Sequence, residues 1–361
     1  MDNPLIRLHN LGQRIWLDNL SRTLLSESGL RRLITEDGLA GVTSNPTIFF
    51  KAISESPYYR DELAALKADP KLTPERRYER LAIADIQNAC DLLHPLYVRT
   101  EGEDGYVSLE VSPALAYDAE GTIEAGLRLK AEVNRANLLI KVPATKQGLT
   151  AIERLIGQGC SVNVTLMFSL DHVRDVSQAY MRGVERWLAR SGADPRPLKS
   201  VASLFLSRVD TLVDKRLEAL GGDALQLRGR AGVSLAKLAY EEYKKVFRGP
   251  LFAPLAARGA HGQYLLWAST GTKNPGYSDV MYVEPLIGPE TINTLPDGTL
   301  AAFRDHGRAA LTLEQGLEEA REVFASLGRL GIRMGEVGDE LQTDGVKLFQ
   351  KSFDDLLGLM A

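Results

Sequence analysis

Seven short apolar runs recur along the chain, and longer segments with helical spacing separate them. The runs cover residues 14–18, 39–44, 106–111, 137–142, 160–166, 200–206 and 264–269. An eighth run is weaker, and either 279–288 or the nearby segment "ETINT" fits it. Short apolar runs that alternate with helices are typical of a parallel sheet whose strands are joined by crossover helices.

The helical segments lie between these runs. The longest covers residues 72–93, and another, 170–191, follows the fifth run. The segment 122–135 begins with Thr122. We expect Thr122 to cap its helix, because a threonine oxygen can accept a hydrogen bond from a free backbone N–H group of the first turn.

Eight strand–helix units predict a (β/α)8 TIM barrel, an α/β fold that typically takes about 250 residues. The chain has 361 residues, so roughly 110 are left over from a minimal barrel. We assign them to extra helices in 46–104, where two helices replace one, in 210–260 and in 310–361. No Pro/Ser-rich linker or internal repeat divides the chain, so we expect one domain over 1–361. A doubly wound open sheet is the alternative fold.

Charge and composition narrow the class of function. Lys and Arg total 43 against 47 Asp and Glu, a net charge of −4 without a basic stripe, so we expect neither nucleic acid nor a membrane surface as a partner. Two distant cysteines and five scattered histidines show no ligand spacing, so we expect no metal site. The sequence shows no basic leader before an apolar core, and no window approaches roughly 18 uninterrupted apolar residues. We therefore expect a cytoplasmic protein.

Polar side chains stand at the carboxyl ends of the predicted strands. In a TIM barrel this end carries the active site, to which several strands each contribute a residue. Asn163 and Thr165 lie two apart on one strand and therefore point to the same face. The candidate residues are Asp18, Asn45, Glu110, Lys141, Asn163, Thr165, Ser203, Arg208, Ser269 and Lys273.

Lys141 stands inside the apolar run "NLLIKVPAT". A free lysine has a pKa of about 10.4 and is almost fully protonated at neutral pH. Burial can lower that pKa by up to about 3–5 units, which makes the amine a nucleophile. The alternative is a strand-edge lysine whose charged head reaches water along its own stem.

Most of the other candidates also have ordinary structural interpretations. Asn45 precedes Pro46 and fits a turn, Asn163 and Thr165 fit the solvent face of an edge strand, and Ser269 fits a helix cap. Asp18 and Glu110 are different, because a carboxylate within an apolar run needs a partner. Polar residues at seven strand ends beside an embedded lysine favour a catalytic interpretation of Lys141.

A phosphate group is the ligand that the end of the seventh strand favours. The segment "STGTKNPG" lacks the spacing of a nucleotide-binding phosphate loop, and no G-x-G-x-x-G follows a strand. A Ser/Thr/Lys cluster after the seventh strand is, however, where TIM barrels often hold a substrate phosphate. Lys273 and Arg208 would supply its positive charge.

Six motifs, in consistent order over roughly residues 10–290, resemble the transaldolase family. They are "GVTSNPTIF", "VSLEVSPALAYD", "LLIKVPAT", "NVTLMFS", "SLFLSRVD" and "WASTGTKNP". The final helices resemble the longer branch of that family. The resemblance implies a Schiff-base transferase of the pentose phosphate pathway that works on sugar phosphates and needs no cofactor.

The resemblance also implies roles for the residues. Lys141 is the nucleophile that forms an imine with a ketose phosphate, Glu110 handles the proton of the dehydration, and Thr165 helps to hold the water. Asp18 is the base that takes the C4 hydroxyl proton as the C3–C4 bond breaks. The hydroxyl-binding residues are Asn45, Asn163 and Ser203. A dihydroxyacetone unit then passes from the enzyme to an aldose phosphate.

One position departs from the shorter branch of the family, where an arginine stands two residues after the serine matching Ser269. Here Gly271 holds that position, and we expect Lys273 to take over as a phosphate ligand, together with Arg208. Two other functions stay open, an aldolase that only splits fructose 6-phosphate and an inactive sugar-phosphate sensor. The sequence leaves the oligomeric state open between monomer and homodimer.

Overall fold

In the computed structural model, which describes residues 3–26 and 28–361, eight parallel strands close into a barrel in chain order. Each strand pairs with the next, and the eighth pairs with the first. The strands are β1 (Gln13–Leu17), β2 (Leu39–Val42), β3 (Tyr106–Glu110), β4 (Leu138–Pro143), β5 (Val162–Met167), β6 (Ser200–Phe205), β7 (Tyr264–Ala268) and β8 (Thr291–Leu295).

The predicted (β/α)8 barrel is confirmed, and the doubly wound open sheet is wrong because the sheet has no open edge. Each of the seven apolar runs overlaps one strand. Of the two candidates for the eighth, "ETINT" overlaps β8, whereas residues 279–288 hold only the 3-10 helix Glu284–Leu286.

Fifteen α-helices surround the barrel in the described part of the chain. They are α1 (Pro4–Asn10), α2 (Arg22–Ser26), α3 (Gly29–Glu36), α4 (Pro46–Glu55), α5 (Arg60–Ala68), α6 (Pro74–Arg99), α7 (Ala119–Val133), α8 (Lys146–Ile156), α9 (Leu170–Leu188), α10 (Ser207–Leu220), α11 (Ala231–Phe247), α12 (Ala253–Ala256), α13 (Asp297–His306), α14 (Leu317–Arg329) and α15 (Met334–Met360). The region 46–104 holds three α-helices rather than the predicted two, because a 3-10 turn at Pro57–Tyr59 separates α4 from α5.

Helix caps fix how the chain turns away from the ends of several strands. Asn45, Thr145 and Ser169 follow β2, β4 and β5, and each side-chain oxygen accepts a hydrogen bond from the first turn of the next helix. The predicted cap at Thr122 is wrong. Asp118 caps α7 instead, four residues earlier, and the Thr122 hydroxyl donates to the backbone oxygen of Leu115 over 2.9 Å.

The last helix, α15, lies over the carboxyl end of the barrel. It packs against α4, α6 and α10 and against the end of β5. Because catalytic residues of this architecture stand at that end, α15 belongs to the surroundings of the candidate site rather than to a remote tail.

Two further properties bear on function. None of the helices in residues 3–26 and 28–361 is long and apolar enough to span a membrane. Cys90 and Cys160 are free, buried thiols, and burial raises the pKa of each to about 12. Both thiols are therefore weak nucleophiles.

Gly41→Ala should destabilise the barrel by about 1–3 kcal/mol, the usual effect of overpacking a core. Gly41 on β2 pairs with Trp16 on β1, and an added Cβ would lie 2.6 Å from the buried indole ring. We expect a lower midpoint of thermal unfolding. Gly328→Ala on α14 is the matched control, because an added Cβ there has open space around it and alanine favours helix. Equal midpoints for Gly41→Ala and the parent protein would contradict the prediction.

Candidate active site

A cavity of about 690 Å³ opens at the carboxyl end of the barrel, between the strand ends and the helices α10 and α15. Glu110 and Asn163 are the two predicted residues that do not line it. The predicted residues that do are Asp18, Asn45, Lys141, Thr165, Ser203, Arg208, Ser269 and Lys273.

The register of three neighbouring strands places Lys141 at the centre of the site. Glu110 on β3 pairs with Lys141 on β4, which pairs with Asn163 on β5, so the three side chains stand side by side on one face of the sheet. Lys141 is 4% exposed. Its Nζ lies 3.1 Å from Oε2 of Glu110 and donates to the backbone oxygen of Ser44 over 3.2 Å. The alternative of a lysine head in open solvent is therefore wrong.

Glu110 reaches Lys141 from outside the main cavity. Its carboxylate borders a separate cavity of about 20 Å³, which Tyr78 and Glu79 of α6 also line. Burial raises the pKa of Glu110, and the positive charge of Lys141 opposes that rise. The structure thus pairs the lysine with a carboxyl group that takes up a proton more readily than an exposed glutamate does.

Asp18 is held where β8, β1 and β2 end. Its backbone N–H donates to the oxygen of Leu295 over 2.9 Å, and its carboxylate accepts from the Thr43 hydroxyl over 2.9 Å. Burial raises the pKa of Asp18, while the charges of Lys141 and Arg208 and the bond from Thr43 oppose that rise. Both carboxyl groups of the site therefore bind protons more tightly than usual.

Asn163 lies outside the cavity and holds one of its lining residues, Ser203, in place. It is fully buried, donates to the Ser108 hydroxyl over 2.9 Å, and accepts from the Ser203 hydroxyl over 2.8 Å. These bonds fix Ser203 at the cavity wall. Thr165 stands one step nearer the cavity on β5, and its buried hydroxyl has no hydrogen-bond partner among the described residues. A free buried hydroxyl facing a cavity suits a water or substrate ligand.

Asn45 caps helix α4 and also lines the cavity. Its Oδ1 accepts from the Ile48 N–H over 3.0 Å as the cap of α4. Only its amide nitrogen is left to donate to a ligand.

Arg208 and Lys273 add positive charge to the cavity wall. Arg208, in the first turn of α10, has a buried Nη1 without a hydrogen-bond partner in residues 3–26 and 28–361. Burial lowers the pKa of Arg208. Ser269 exchanges a hydrogen bond with Ser207 over 2.8 Å, and its φ of +53° turns the chain sharply after β7. Lys273 lies further out, on an exposed part of the rim.

The cavity also contains residues that the sequence did not single out. Thr43 orients Asp18, and the motif "TSNP" already contained it. Lys215 lies seven residues after Arg208 on α10, a spacing that keeps both on one face of the helix. Phe349 comes from α15, and no sequence signal pointed to it because the tail has no strand end to mark a site.

A metal has no evident place here. Across the described parts of the chain, no three His, Cys, Asp or Glu side chains are grouped so that they could hold a metal ion.

Comparison with known proteins identifies relatives over nearly the whole chain. The family model described as transaldolase/fructose-6-phosphate aldolase matches residues 15–360. A transaldolase of Thiobacillus denitrificans is 56% identical, with 96% of each chain covered. A transaldolase of Neisseria gonorrhoeae is 47% identical, again with 96% of each covered. A transaldolase of Frankia alni is 45% identical over 100% of this chain and 97% of its own.

Asp18→Asn should stabilise the protein near neutral pH. A raised carboxyl pKa means that the folded state binds the proton more tightly than the unfolded state, so ionising Asp18 destabilises the fold as the pH rises. The amide cannot ionise. We expect the variant to have the higher thermal unfolding midpoint at about pH 7. The difference should shrink as the pH falls through the raised pKa of Asp18 in the folded state, and it should vanish below the ordinary aspartate value of about 3.9.

Asp175→Asn, on the exposed side of α9, serves as the control and should change little at either pH. A lower midpoint for Asp18→Asn at neutral pH would contradict the prediction. It would mean that attraction to Lys141 and Arg208 outweighs the burial of the carboxylate.

Proposed function

The chain belongs to the transaldolase/fructose-6-phosphate aldolase family, and from this premise we propose how the barrel mouth carries the reaction. The activity is that of a transaldolase, a transferase that acts on sugar phosphates. As donors we propose sedoheptulose 7-phosphate and fructose 6-phosphate, and as acceptors glyceraldehyde 3-phosphate and erythrose 4-phosphate. The unit transferred is dihydroxyacetone, and we expect the cytoplasm as the place of action.

The ion pair of Lys141 and Glu110 at the cavity is the observation that carries this proposal. A Schiff-base enzyme needs a neutral amine at the moment of attack and an acid a moment later. Transfer of one proton from Lys141 to Glu110 over 3.1 Å supplies both. The raised pKa of Glu110 favours that transfer, since the carboxyl group accepts the proton more readily than an exposed glutamate.

Imine formation follows from this exchange. Nζ of Lys141 attacks the C2 carbonyl of the ketose phosphate, and the carbonyl oxygen becomes a hydroxyl group. Glu110 returns its proton, the hydroxyl leaves as water, and an imine remains on Lys141. The unpartnered hydroxyl of Thr165 lies at the cavity wall and is a suitable ligand for that water.

Cleavage of the C3–C4 bond needs a base, for which we propose Asp18. Its carboxylate takes the proton of the C4 hydroxyl, the bonding electrons move toward the imine, and the aldose phosphate leaves. An enamine of three carbons stays on Lys141. With an acceptor in the cavity the steps reverse, and Asp18 gives the proton back. The Thr43 bond fixes the carboxylate for both directions.

The remaining residues recognise the substrate in this proposal. The Asn45 amide nitrogen and the Ser203 hydroxyl line the cavity and meet the sugar hydroxyls, while Asn163 fixes Ser203 from below. Arg208 binds the phosphate with its unpartnered Nη1, since guanidinium groups pair well with phosphate. Ser269, Lys273 and Lys215 complete the phosphate side of the cavity.

Borohydride reduction in the presence of fructose 6-phosphate should leave a three-carbon adduct on Lys141, located by mass spectrometry of tryptic peptides. Lys141→Ala should form no adduct and lose turnover. Asp18→Asn should still form an imine with the intact sugar but not cleave it. With erythrose 4-phosphate as acceptor, a coupled assay should show transfer well above the release of free dihydroxyacetone.

Lys199 is the internal control, because it is buried as deeply as Lys141, at 2% exposed, but lies at the other end of the barrel, at the start of β6. An adduct on Lys199, or none, contradicts the mechanism. Release of dihydroxyacetone at the same rate with and without the acceptor would indicate an aldolase. Binding of the sugar phosphate without any adduct would indicate a sensor.

Lys215→Ala and Lys273→Ala should each raise the KM for fructose 6-phosphate about two- to fivefold with little change in kcat, because an exposed charge pair is worth at most about 1 kcal/mol. The effect should fade at high salt. Lys67→Ala, an exposed lysine on α5 away from the cavity, is the control. An unchanged KM in both variants would show that these lysines do not bind the phosphate.

A further inference from the structure

Helix α15 forms the roof of the cavity. Four of its residues line the cavity, Leu341, Asp344, Leu348 and Phe349. Their spacing places them on one face of the helix. Leu348 and Asp344 stand at the exposed lip, whereas Phe349 is 4% exposed. Phe349 is thus the part of the roof that lies within the site.

The roof is fastened to the strands that carry the reacting side chains. Gln342 donates one hydrogen bond of 2.9 Å to the oxygen of Ala144, just after β4, and one of 3.1 Å to that of Leu166 on β5. Gly345 lets the helix approach closely, because a Cβ there would lie 2.9 Å from the Leu166 side chain. The position of Phe349 relative to Lys141 is therefore set by direct contacts.

The Phe349 ring faces both cations of the site. Its centroid lies 5.6 Å from Nζ of Lys141 and 5.8 Å from Cζ of Arg208. Both distances are within reach of a cation–π interaction. A ketose phosphate that is bound to Lys141 at C2 and to Arg208 through its phosphate must span the interval that this ring covers.

We propose that Phe349 determines the fate of the enamine on Lys141, by covering it against water so that the three-carbon unit is transferred rather than released. The inference rests on the function proposed above and deepens it. The ring acts as an apolar cover, and the guanidinium of Arg208, which stays charged while Lys141 carries the substrate, holds it in place. It takes no part in proton transfer.

The two competing fates of the enamine differ in what bonds to its nucleophilic carbon, the acceptor in transfer or a proton from solvent in release. In transfer, the enamine carbon bonds to the aldehyde carbon of the acceptor, and Asp18 protonates the aldehyde oxygen. In release, the same carbon takes a proton, which restores an imine. Water then adds at C2, the C2–N bond breaks, and free dihydroxyacetone leaves while the amine of Lys141 is regained. Both fates end in hydrolysis of an imine on Lys141, but only release begins with a proton that solvent delivers to the enamine carbon, so a cover that keeps water from this carbon suppresses release.

The test compares release with transfer in the full-length enzyme. Free dihydroxyacetone is measured with fructose 6-phosphate alone, and transfer is measured after addition of erythrose 4-phosphate. We expect Phe349→Ala, which removes the cover, to raise the ratio of release to transfer about tenfold. Phe349→Leu keeps apolar bulk but has no π face for Arg208, and it should raise the ratio about threefold.

Phe353→Leu is the matched control. Phe353 is equally buried at 4%, lies one turn further along α15, and packs edge-on against Tyr78 at 5.6 Å instead of facing the cations. Its substitution should leave the ratio unchanged even if it lowers the unfolding temperature. A rise of equal size in Phe353→Leu would overturn the proposal, because general loosening of α15 would then explain the effect.

Borohydride trapping separates this inference from the function on which it depends. A trapped adduct together with a parental ratio in Phe349→Leu overturns the inference and leaves the proposed function intact. Absence of the adduct in the parent enzyme would contradict both the inference and the proposed function. Should Phe349→Ala fail to fold, the ratio in Phe349→Leu decides alone.

Discussion

A lysine ammonium and a glutamate carboxylate lie 3.1 Å apart at the carboxyl end of the barrel, with both side chains almost wholly out of contact with solvent. Taking either charge out of water is costly, and only a partner at close range offsets that cost. Lys141 and Glu110 are therefore interdependent, since each makes the burial of the other tolerable. The parallel register of β3 and β4 keeps them together, and one strand slipping by a residue would separate them.

A second carboxylate and a second cation are partly buried at the same site. Asp18 and Arg208 face the same cavity, and burial disfavours the charged form of each, raising the pKa of Asp18 and lowering that of Arg208. Two carboxyl groups and two cations thus share a poorly solvated space with no net charge. Glu110 and Asp18 are the members of this set that take up protons most readily, because burial raises the pKa of each carboxyl group. The unfavourable burial of these charges is offset by the rest of the fold, in particular by its large apolar core.

The strands were predictable because an apolar run bounded by turns carries its own signal. Seven runs overlap a strand each, but β8 stayed ambiguous because it reads "TINTL". Thr291 and Asn293 are buried on the face of β8 opposite Thr294, where Thr291 accepts a hydrogen bond from Gln13 and Asn293 donates one to the oxygen of Tyr282. No local pattern reveals such partners. The misplaced cap at Thr122 has a similar origin, since Asp118 and Thr122 are both good caps and only the fold of the preceding 3-10 turn selects one.

Eight of the ten candidate residues line the cavity. The other two, Glu110 and Asn163, lie outside the cavity and act on residues that line it, Lys141 and Ser203. The sequence pattern does not show how deeply a side chain lies within the barrel, so it could not separate these two from the rest.

The helical tail shows most clearly what strand ends alone leave out. The candidate side chains stand on or just beyond seven strands and in the first turn of α10. Most of them form the floor and walls of a cavity that would be open above. Helix α15 closes it, and Gln342 ties that helix to the ends of the strands that carry Lys141 and Thr165. Residues of a single chain thus line the cavity at the strand ends, on α10 and on α15. The extra residues beyond a minimal barrel place apolar cover over an intermediate that water destroys, and the cover needs no second subunit. The same contacts that hold α15 in position also hold Phe349 over two cations, so the stability of the tail and the exclusion of water from the site have a common physical basis.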